Sequence, residues 1–420
     1  GYDRDEETAR VVGLVKDGAL VDAVETGDPV QVILDRTPFY AESGGQVGDV
    51  GTLSANGTTV DVRDTQGQEG YVLHEGVVTA GGLATGAEVR AVVHTPTRDA
   101  TRRNHTATHL LHAALREVLG DGVRQEGSLV GPEHLRFDFS LPRAMTDEEV
   151  EQVENLVNEW ILVNDALVTR EMPIDEAKAS GAMSLFGEKY DDVVRVVSVD
   201  SGSCELCGGV HVHRTGDIGA FRVTQEMAVA AGVRRLEAVT GLGAVRLASR
   251  DRHLVRELST TFKVVPEEVL DRVRGLQDEL KAVRKAQEKA QRDAGLAAVG
   301  RLVDSAADLG GLKVQAASLP GVDGKAIRGV WDGLKKGGVD VAVVVGEAGG
   351  KAPLLVGLSK AAVGRGLDAR KLLGAASEVL GGRGGGRPDM AQGQGQDASR
   401  AEEALAKVRA LLETALARDA

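Results

Sequence analysis

Residues 102–115 read "RRNHTATHLLHAAL", which places His105, His109 and His112 within eight residues of a segment with helical character. Histidine is scarce in this chain, nine in 420 residues, so three close together call for a chemical explanation before a packing one. His105 and His109 stand at i and i+4, one turn apart on one helix face, where two imidazoles can converge on a single ion. The pair resembles half of a zinc-protease helix. In that pattern Glu directly follows the first His; here the residue is Thr106, so the general base is missing and a protease is disfavoured.

A second cluster, "CELCGGVHVHRTGDIGAF", begins at Cys204 and contains Cys207, His211 and His213. Thiolate and imidazole are the ligands a tetrahedral zinc site wants, and Cys207 and His211 across "GGV" form a tight loop able to present both. Gly208 and Gly209 let that loop fold back without Cβ clashes. One ligand pair on a helix and one on a loop before a strand complete a His₃Cys set. A local Cys₂His₂ site would strand His105 and His109 and crowd the loop. His213 alternates with His211 on a strand-like segment and so points away, while His112 is read as a supporting or structural residue. A redox reading of Cys204 and Cys207 lacks the thioredoxin-like βαβ context.

Working outward, 420 residues exceed one ordinary core and imply about three domains. With aromatics at 3%, the cores must rest on Val, Leu and Ala. No apolar run approaches the roughly 20 residues that span a bilayer, and the N-terminus lacks a signal-peptide pattern, so a cytoplasmic location and no membrane partner are expected. Two cysteines two residues apart make no disulfide framework. A net charge of -13 argues against indiscriminate nucleic-acid binding but leaves room for local basic surfaces. The chain opens on Gly1, which is read as the start of a piece of something longer.

The expected organisation is α+β and multidomain. Residues 1–16 are read as the tail of an upstream helical domain. Residues 17–96 carry short β-rich runs ("PVQVILDR", "TTVDVRDT", "GYVLHEGVV", "AEVRAVVH") between Gly-containing turns, the signature of a small β-barrel. Residues 97–242 form a zinc-containing α+β domain. It opens on a helix from Pro96 to a stop at Gly120 and holds a second helix with a Thr146–Glu149 capping box. Residues 243–305, rich in charge and broken near Pro266, are a long helical hairpin or coiled-coil arm. Residues 306–420 are a C-terminal α/β globular domain with two strands, a helix, the loop "RGGGRPDMAQGQGQDAS" and a final helix from Glu402.

Taken together, "NHTATHLL", "CGGVHVHRTGDIGAFRV" and "LDRTPFYAESGGQVGDVG" resemble the editing half of the alanyl-tRNA synthetase family, and free-standing alanyl-tRNA editing proteins look similar over the same stretch. The resemblance runs over nearly the whole chain and includes a C-terminal domain of the DHH-associated type. It implies one Zn2+ held by His105, His109, Cys207 and His211, with Cys204 a bystander. It implies hydrolysis of the aminoacyl ester of tRNA(Ala) mischarged with Ser or Gly. An alanine pocket cannot strongly reject either residue, because such differences are worth only about 1–3 kcal/mol, and a second sieve is needed. Zinc could activate a water or anchor substrate, although four protein ligands would close a tetrahedral ion and leave no open position.

The resemblance extends to further residues. Gln125 would position the attacking water or terminal ribose, and Glu126 is an acid/base candidate. Thr37 would hydrogen-bond the serine hydroxyl. Gly44 and Gly45 would let backbone amides approach the tRNA terminus, although Ser43 stands where the family often has a third glycine. By residue type alone, Lys371, Arg383 and Arg387 would contact RNA phosphates, the alternative being a disordered Gly/Gln segment; the Gly-rich loop around them lacks the Lys-Ser/Thr ending of a P-loop. A homodimer through the C-terminal region is also implied. ATP and Mg2+ belong only to an aminoacylation domain that these residues do not include. The alternatives are a free-standing trans-editing protein and a tRNA-binding module whose zinc is structural.

Overall fold

The structure, a computed structural model, describes residues 4–183, 191–200, 202–347 and 349–417. The chain divides into two compact units, residues 1–257 and 258–420.

The first unit opens with β1 (Glu6–Lys16), β2 (Ala19–Val21), β3 (Ala23–Glu25), β4 (Pro29–Leu34), β5 (Gly51–Ala55), β6 (Thr58–Gln68), β7 (Tyr71–Ala80), β8 (Gly82–Ala84) and β9 (Glu88–Val93). Strands β1, β4, β7, β6, β5 and β9 pair in that order, and β1 pairs back to β9, so six strands close a barrel. The expected helical tail at residues 1–16 is therefore corrected to a strand; residues 1–3 lie outside the described residues. In "EETARVVGLVK" the buried Ala9 and Val11 alternate with exposed Thr8, Arg10 and Val12, a period of two. β1 pairs with β9 over Glu6–Arg10 and with β4 over Val11–Val15, shifting register between Val11 and Gly13. That bulge turns one strand across the seam and closes the sheet. Val11, Leu14, Val32, Val60, Val62, Val78 and Ala91 fill the barrel.

There follow α1 (Thr95–Leu119), β10 (Gln125–Val130), β11 (Leu135–Ser140), α2 (Asp147–Val163), β12 (Val168–Pro173), α3 (Ile174–Ala179), β13 (Val193–Val199), β14 (Ser203–Leu206), β15 (Phe221–Ala230), β16 (Val233–Thr240) and α4 (Gly241–Phe262). Pro96 sits in the first turn of α1, where a missing N–H costs nothing, and Gly120 ends the helix at φ 102. In α2 the Thr146 hydroxyl accepts from Glu149 N at 3.2 Å while the Glu149 carboxylate accepts from Thr146 N at 2.9 Å, the expected capping box. The four-stranded sheet β10-β11-β16-β15 receives α1 and α2 on one face through Leu110, Leu111 and Leu115 against Phe137, Phe139 and Val157. Each such buried side chain contributes about 1.5–3 kcal/mol. This core fixes α1 as a rigid platform. Its histidines lie on the side facing β14, the edge of a separate sheet β12-β13-β14.

The second unit holds α5 (Val269–Asp304), β17 (Ala307–Leu309), β18 (Leu312–Pro320), α6 (Ala326–Lys336), β19 (Val341–Glu347), β20 (Ala352–Leu358), α7 (Lys360–Gly364), α8 (Ala369–Val379), β21 (Arg383–Arg387), β22 (Met390–Gly395) and α9 (Ala401–Ala417). Its six-stranded sheet runs β17-β18-β19-β20-β22-β21, with β18 and β19 parallel. One core packs α8 and α9 on the sheet, and a second packs α5 and α6. The expected loop "RGGGRPDMAQGQGQDAS" is corrected to a hairpin, since Arg383–Arg387 pairs with Met390–Gln394. Glycine allows this: a Cβ at Gly386 would meet the β22 backbone. No described helix is long and apolar enough to cross a membrane.

Candidate metal centre

α1 presents His105 and His109 with their rings nearly parallel, at an interplanar angle of 13° and centroids 5.3 Å apart. The loop leaving β14 brings Cys207 and His211 against them. Cys207 Sγ lies 3.4 Å from His105 Nε2 and 3.2 Å from His211 Nε2. One ligand atom from each of His105, His109, Cys207 and His211 falls within 4.8 Å of the others. Ligands about 2.0–2.3 Å from an ion stand about 3.3–3.7 Å apart in a tetrahedron, so the cysteine–histidine spacings suit one shared cation. The loop returns this closely because residue 209 is glycine: a Cβ there would collide with the His105 ring.

A buried carboxylate supports the set. Glu205 Oε2 stands 2.7 Å from His109 Nδ1, and Oε1 accepts from His112 Nδ1 at 3.2 Å. Burial alone would raise the Glu205 carboxyl, but the charge and hydrogen bond of His109, with help from His112, hold it at about 2. Desolvation likewise opposes the Cys207 thiolate, yet the surrounding imidazoles of His105, His211 and His109 hold the thiol well below its usual range. Burial pushes His211 down to about 3, so it is neutral. Thiolate and neutral imidazole are the protonation states a metal needs. His109 shows the demand for positive charge: burial would lower its basicity, but Glu205 and Cys207 raise it well above the ordinary histidine value. Both its ring nitrogens are buried without an aligned hydrogen-bond partner, Nδ1 facing the Glu205 carboxylate as an ion pair. Two enclosed anions and an unpartnered imidazole nitrogen fit a divalent cation.

Beside the cluster lies a cavity of about 80 Å³, lined among others by Gly44, Thr108, Gln125, Ser128 and Cys207. At roughly 30 Å³ per water it admits a few non-hydrogen atoms. Gln125 Nε2 donates to Ser128 Oγ at 3.2 Å, and Thr108 Oγ1 donates to Asn104 O at 2.8 Å. Gly44 and Gly45 have φ of 57° and 81°, and a Cβ at Gly45 would run into Ser128.

Other expected residues lie elsewhere. Thr37 is absent from the cavity lining; its hydroxyl donates to His74 Nε2 at 2.7 Å and accepts from Phe39 N at 3.1 Å. Glu126 is exposed and also absent from that lining. His213 is exposed, and Cys204 packs against the apolar cluster of Ala177, Val194 and Val196. In the second unit Lys371 on α8 and Arg383 and Arg387 at the two ends of β21 are exposed, and Arg387 pairs with Asp389 at 3.5 Å. Sequence reasoning missed Glu205, Thr108, Ser128 and Gln46. The first two carried a signal, one between the cysteines and the other immediately before His109.

Residues 1–97 match the family model for tRNA synthetases class II (A), residues 194–237 the threonyl and alanyl tRNA synthetase second additional domain, and residues 311–414 the DHHA1 domain. These matches mark a class II aminoacyl-tRNA synthetase portion bearing a second additional domain. Curated alanine–tRNA ligases from Synechococcus elongatus and Aromatoleum aromaticum are 43% and 47% identical over 420 residues, 99% of this chain and 48% of each relative. That from Pseudomonas fluorescens is 45% identical over 408 residues, 97% of this chain and 47% of the relative. The chain belongs to the alanyl-tRNA synthetase family and carries a second additional domain and a DHHA1 domain. It spans about half the length of the curated relatives it matches. A crystal structure of the C-Ala domain from Aquifex aeolicus alanyl-tRNA synthetase is also similar, at 26% identity and TM-score 0.24, covering 27% of this chain and 97% of that one.

Proposed function

We propose that this chain hydrolyses the aminoacyl ester of tRNA(Ala) mischarged with serine or glycine, using one Zn2+ held by His105, His109, Cys207 and His211. The observation that carries the reading is the convergence of these four candidate ligands beside a small cavity. Bound zinc would supply Lewis acidity or an anchor for the substrate's amino group. The chain's own residues supply position. Gly44, which lines the cavity without a Cβ, admits the tRNA terminus closely, while the missing Cβ of Gly45 lets the strap pack against Ser128. Gln125 and Ser128 orient water at the ester carbonyl. The Thr108 hydroxyl has already donated its proton to Asn104, so its lone pairs are free to accept from a seryl hydroxyl. This contact moves from Thr37, whose hydroxyl is committed inside the barrel. Exposed Glu126 takes no part.

Lys371, Arg383 and Arg387 would hold tRNA phosphates, and exposed Leu270, Leu280 and Val283 on α5 support self-association through the C-terminal region. The helices α4 and α5 would carry that region as an arm. A cytoplasmic setting suits a tRNA substrate. ATP and Mg2+ would serve aminoacylation, the reaction for which the alanine–tRNA ligases are named.

The test measures release of serine from Ser-tRNA(Ala), with Ala-tRNA(Ala) as control, by the wild-type chain and by a folded Cys207→Ala variant. Selective serine release that collapses in the variant supports the reading. Stable Ser-tRNA(Ala) with a zinc-loaded wild type favours a structural zinc in a tRNA-binding module.

A further inference from the structure

The strap between β4 and β5 crosses from the barrel to the α+β part of the same unit. Val47 N donates to Val130 O at 3.0 Å and Val130 N to Gly45 O at 2.7 Å, so residues 45–47 run beside the end of β10. Between these backbone bonds the Gln46 side chain, fully buried, enters the histidine cluster from behind. Its Oε1 lies 2.6 Å from His105 Nδ1 and 2.9 Å from Val210 N.

The second contact fixes the chemistry of the first. A backbone N–H can only donate, so the atom facing Val210 N is the amide oxygen and the amide orientation is settled. That same oxygen can only accept from His105, so His105 carries its proton on Nδ1. The Nε2 lone pair is then bare, on the side where Cys207 Sγ lies at 3.4 Å. Gln46 Nε2, meanwhile, is buried without a hydrogen-bond partner. An orphaned buried donor is destabilising, so what the amide contributes at this place is its carbonyl. Space is cleared for the pair as well: a Cβ at Gly209 would strike both the His105 ring and Gln46 Oε1.

We propose that Gln46 is a positioning residue through which the barrel completes the metal centre: its carbonyl holds His105 in the Nδ1–H tautomer and aims Nε2 at the ion. Glu205 plays the matching part for His109 from within the α+β part itself. The barrel is on this account part of the metal site, and a chain carrying only the histidine helix and the cysteine loop would bind metal weakly. The inference rests on reading the cluster as a metal centre.

The experiment uses the full 420-residue chain, Zn2+ and Co2+, and the variants Gln46→Met, which keeps volume without an acceptor, and Gln46→Glu, which keeps the acceptor. Metal affinity is measured by chelator competition, and the cobalt spectrum reports ligand geometry through its d–d and thiolate charge-transfer bands. Expected are wild-type binding with a thiolate band, a 10–100-fold weaker affinity and altered d–d bands in Gln46→Met, with an apo melting temperature lowered by the loss of the acceptor for Val210 N but the apo protein still folded, and recovery in Gln46→Glu. Gln46→Met binding within twofold of wild type with the same spectrum overturns the proposal while leaving the metal centre standing. No binding by the wild type overturns both. Should Gln46→Met fail to fold, nitrogen NMR of the zinc-loaded wild type decides: His105 protonated at Nδ1 supports the proposal, and Nδ1 unprotonated overturns it.

Discussion

Glu205 Oε2 and His109 Nδ1 stand 2.7 Å apart, both enclosed by protein, one from β14 and the other from α1. The carboxylate fixes the imidazole's orientation and raises its basicity as a ligand. Replacing Glu205 with Ala leaves His112 without its acceptor and His109 without its buried counter-charge, and a loss of about 3–5 kcal/mol is expected. Glu205→Gln keeps shape and one acceptor, and should cost less in stability while weakening metal affinity about 10–100-fold. Urea unfolding and chelator competition separate the two effects. Equal metal affinity in Glu205→Gln and wild type would show that the carboxylate does not tune the centre.

Arg98 is the largest fully buried side chain among the described residues of the first unit. Its guanidinium binds Asp49, Asp5 at 3.0 Å and Pro38 O at 2.6 Å, joining the start of α1 to the barrel strap. Arg98→Ala strands the Asp49 carboxylate and should destabilise this unit by about 3–5 kcal/mol. Arg98→Lys recovers little, because a point charge cannot reproduce the fork. The readout is the urea midpoint followed by Trp160 fluorescence in a Trp331→Phe background, which reports on this unit alone. A midpoint that stays put in Arg98→Ala counts against the clamp.

His74 supplies a pH dependence. Burial pushes it down to about 4, opposed by its hydrogen bond to Val32 O. Between about pH 6.5 and 4 the unfolded chain binds this proton and the folded chain does not, so stability falls as pH falls through that window. The full effect is about 3 kcal/mol at about 1.4 kcal/mol per unit. A His74→Gln variant should lose this slope, whatever its stability at pH 7. Parallel pH profiles for variant and wild type, from the same fluorescence assay, would rule the assignment out.

Arg383 and Arg387 present two guanidinium groups from one exposed strand. If they hold phosphates, Arg383→Ala and Arg387→Ala each weaken tRNA binding across tRNA sequences and reduce the slope of log affinity against log salt by about 1. Filter binding from low to moderate salt measures it. Unchanged slopes in both variants remove these residues from the tRNA contact.

The helix of residues 102–115 and its ligand pair were legible because helical contacts are local: i and i+4 share a face whatever surrounds them. Pro96, Gly120, the Thr146–Glu149 box and the alternating strands of the barrel were legible for the same reason. β1 was misread because its charged residues mask a short alternation, and its partners, β4 and β9, lie far along the chain. β21 was misread because "RGGGR" has no side-chain pattern; it becomes a strand through backbone pairing with β22.

Sequence by itself named the candidate donors, His105, His109, Cys207 and His211, because donor chemistry belongs to residue type and its spacing to the chain, and the structure brings one ligand atom of each within 4.8 Å of the others. Only the tertiary structure decided what surrounds that set. It placed Gln46 against His105 across 59 residues and Glu205 against His112 across 93, brought Thr108 to the cavity, and left Thr37 bonded to His74 in the barrel. Hydrogen-bond acceptance and enclosure depend on which distant segments pack together, and that follows from the closing of the barrel against the α1 platform.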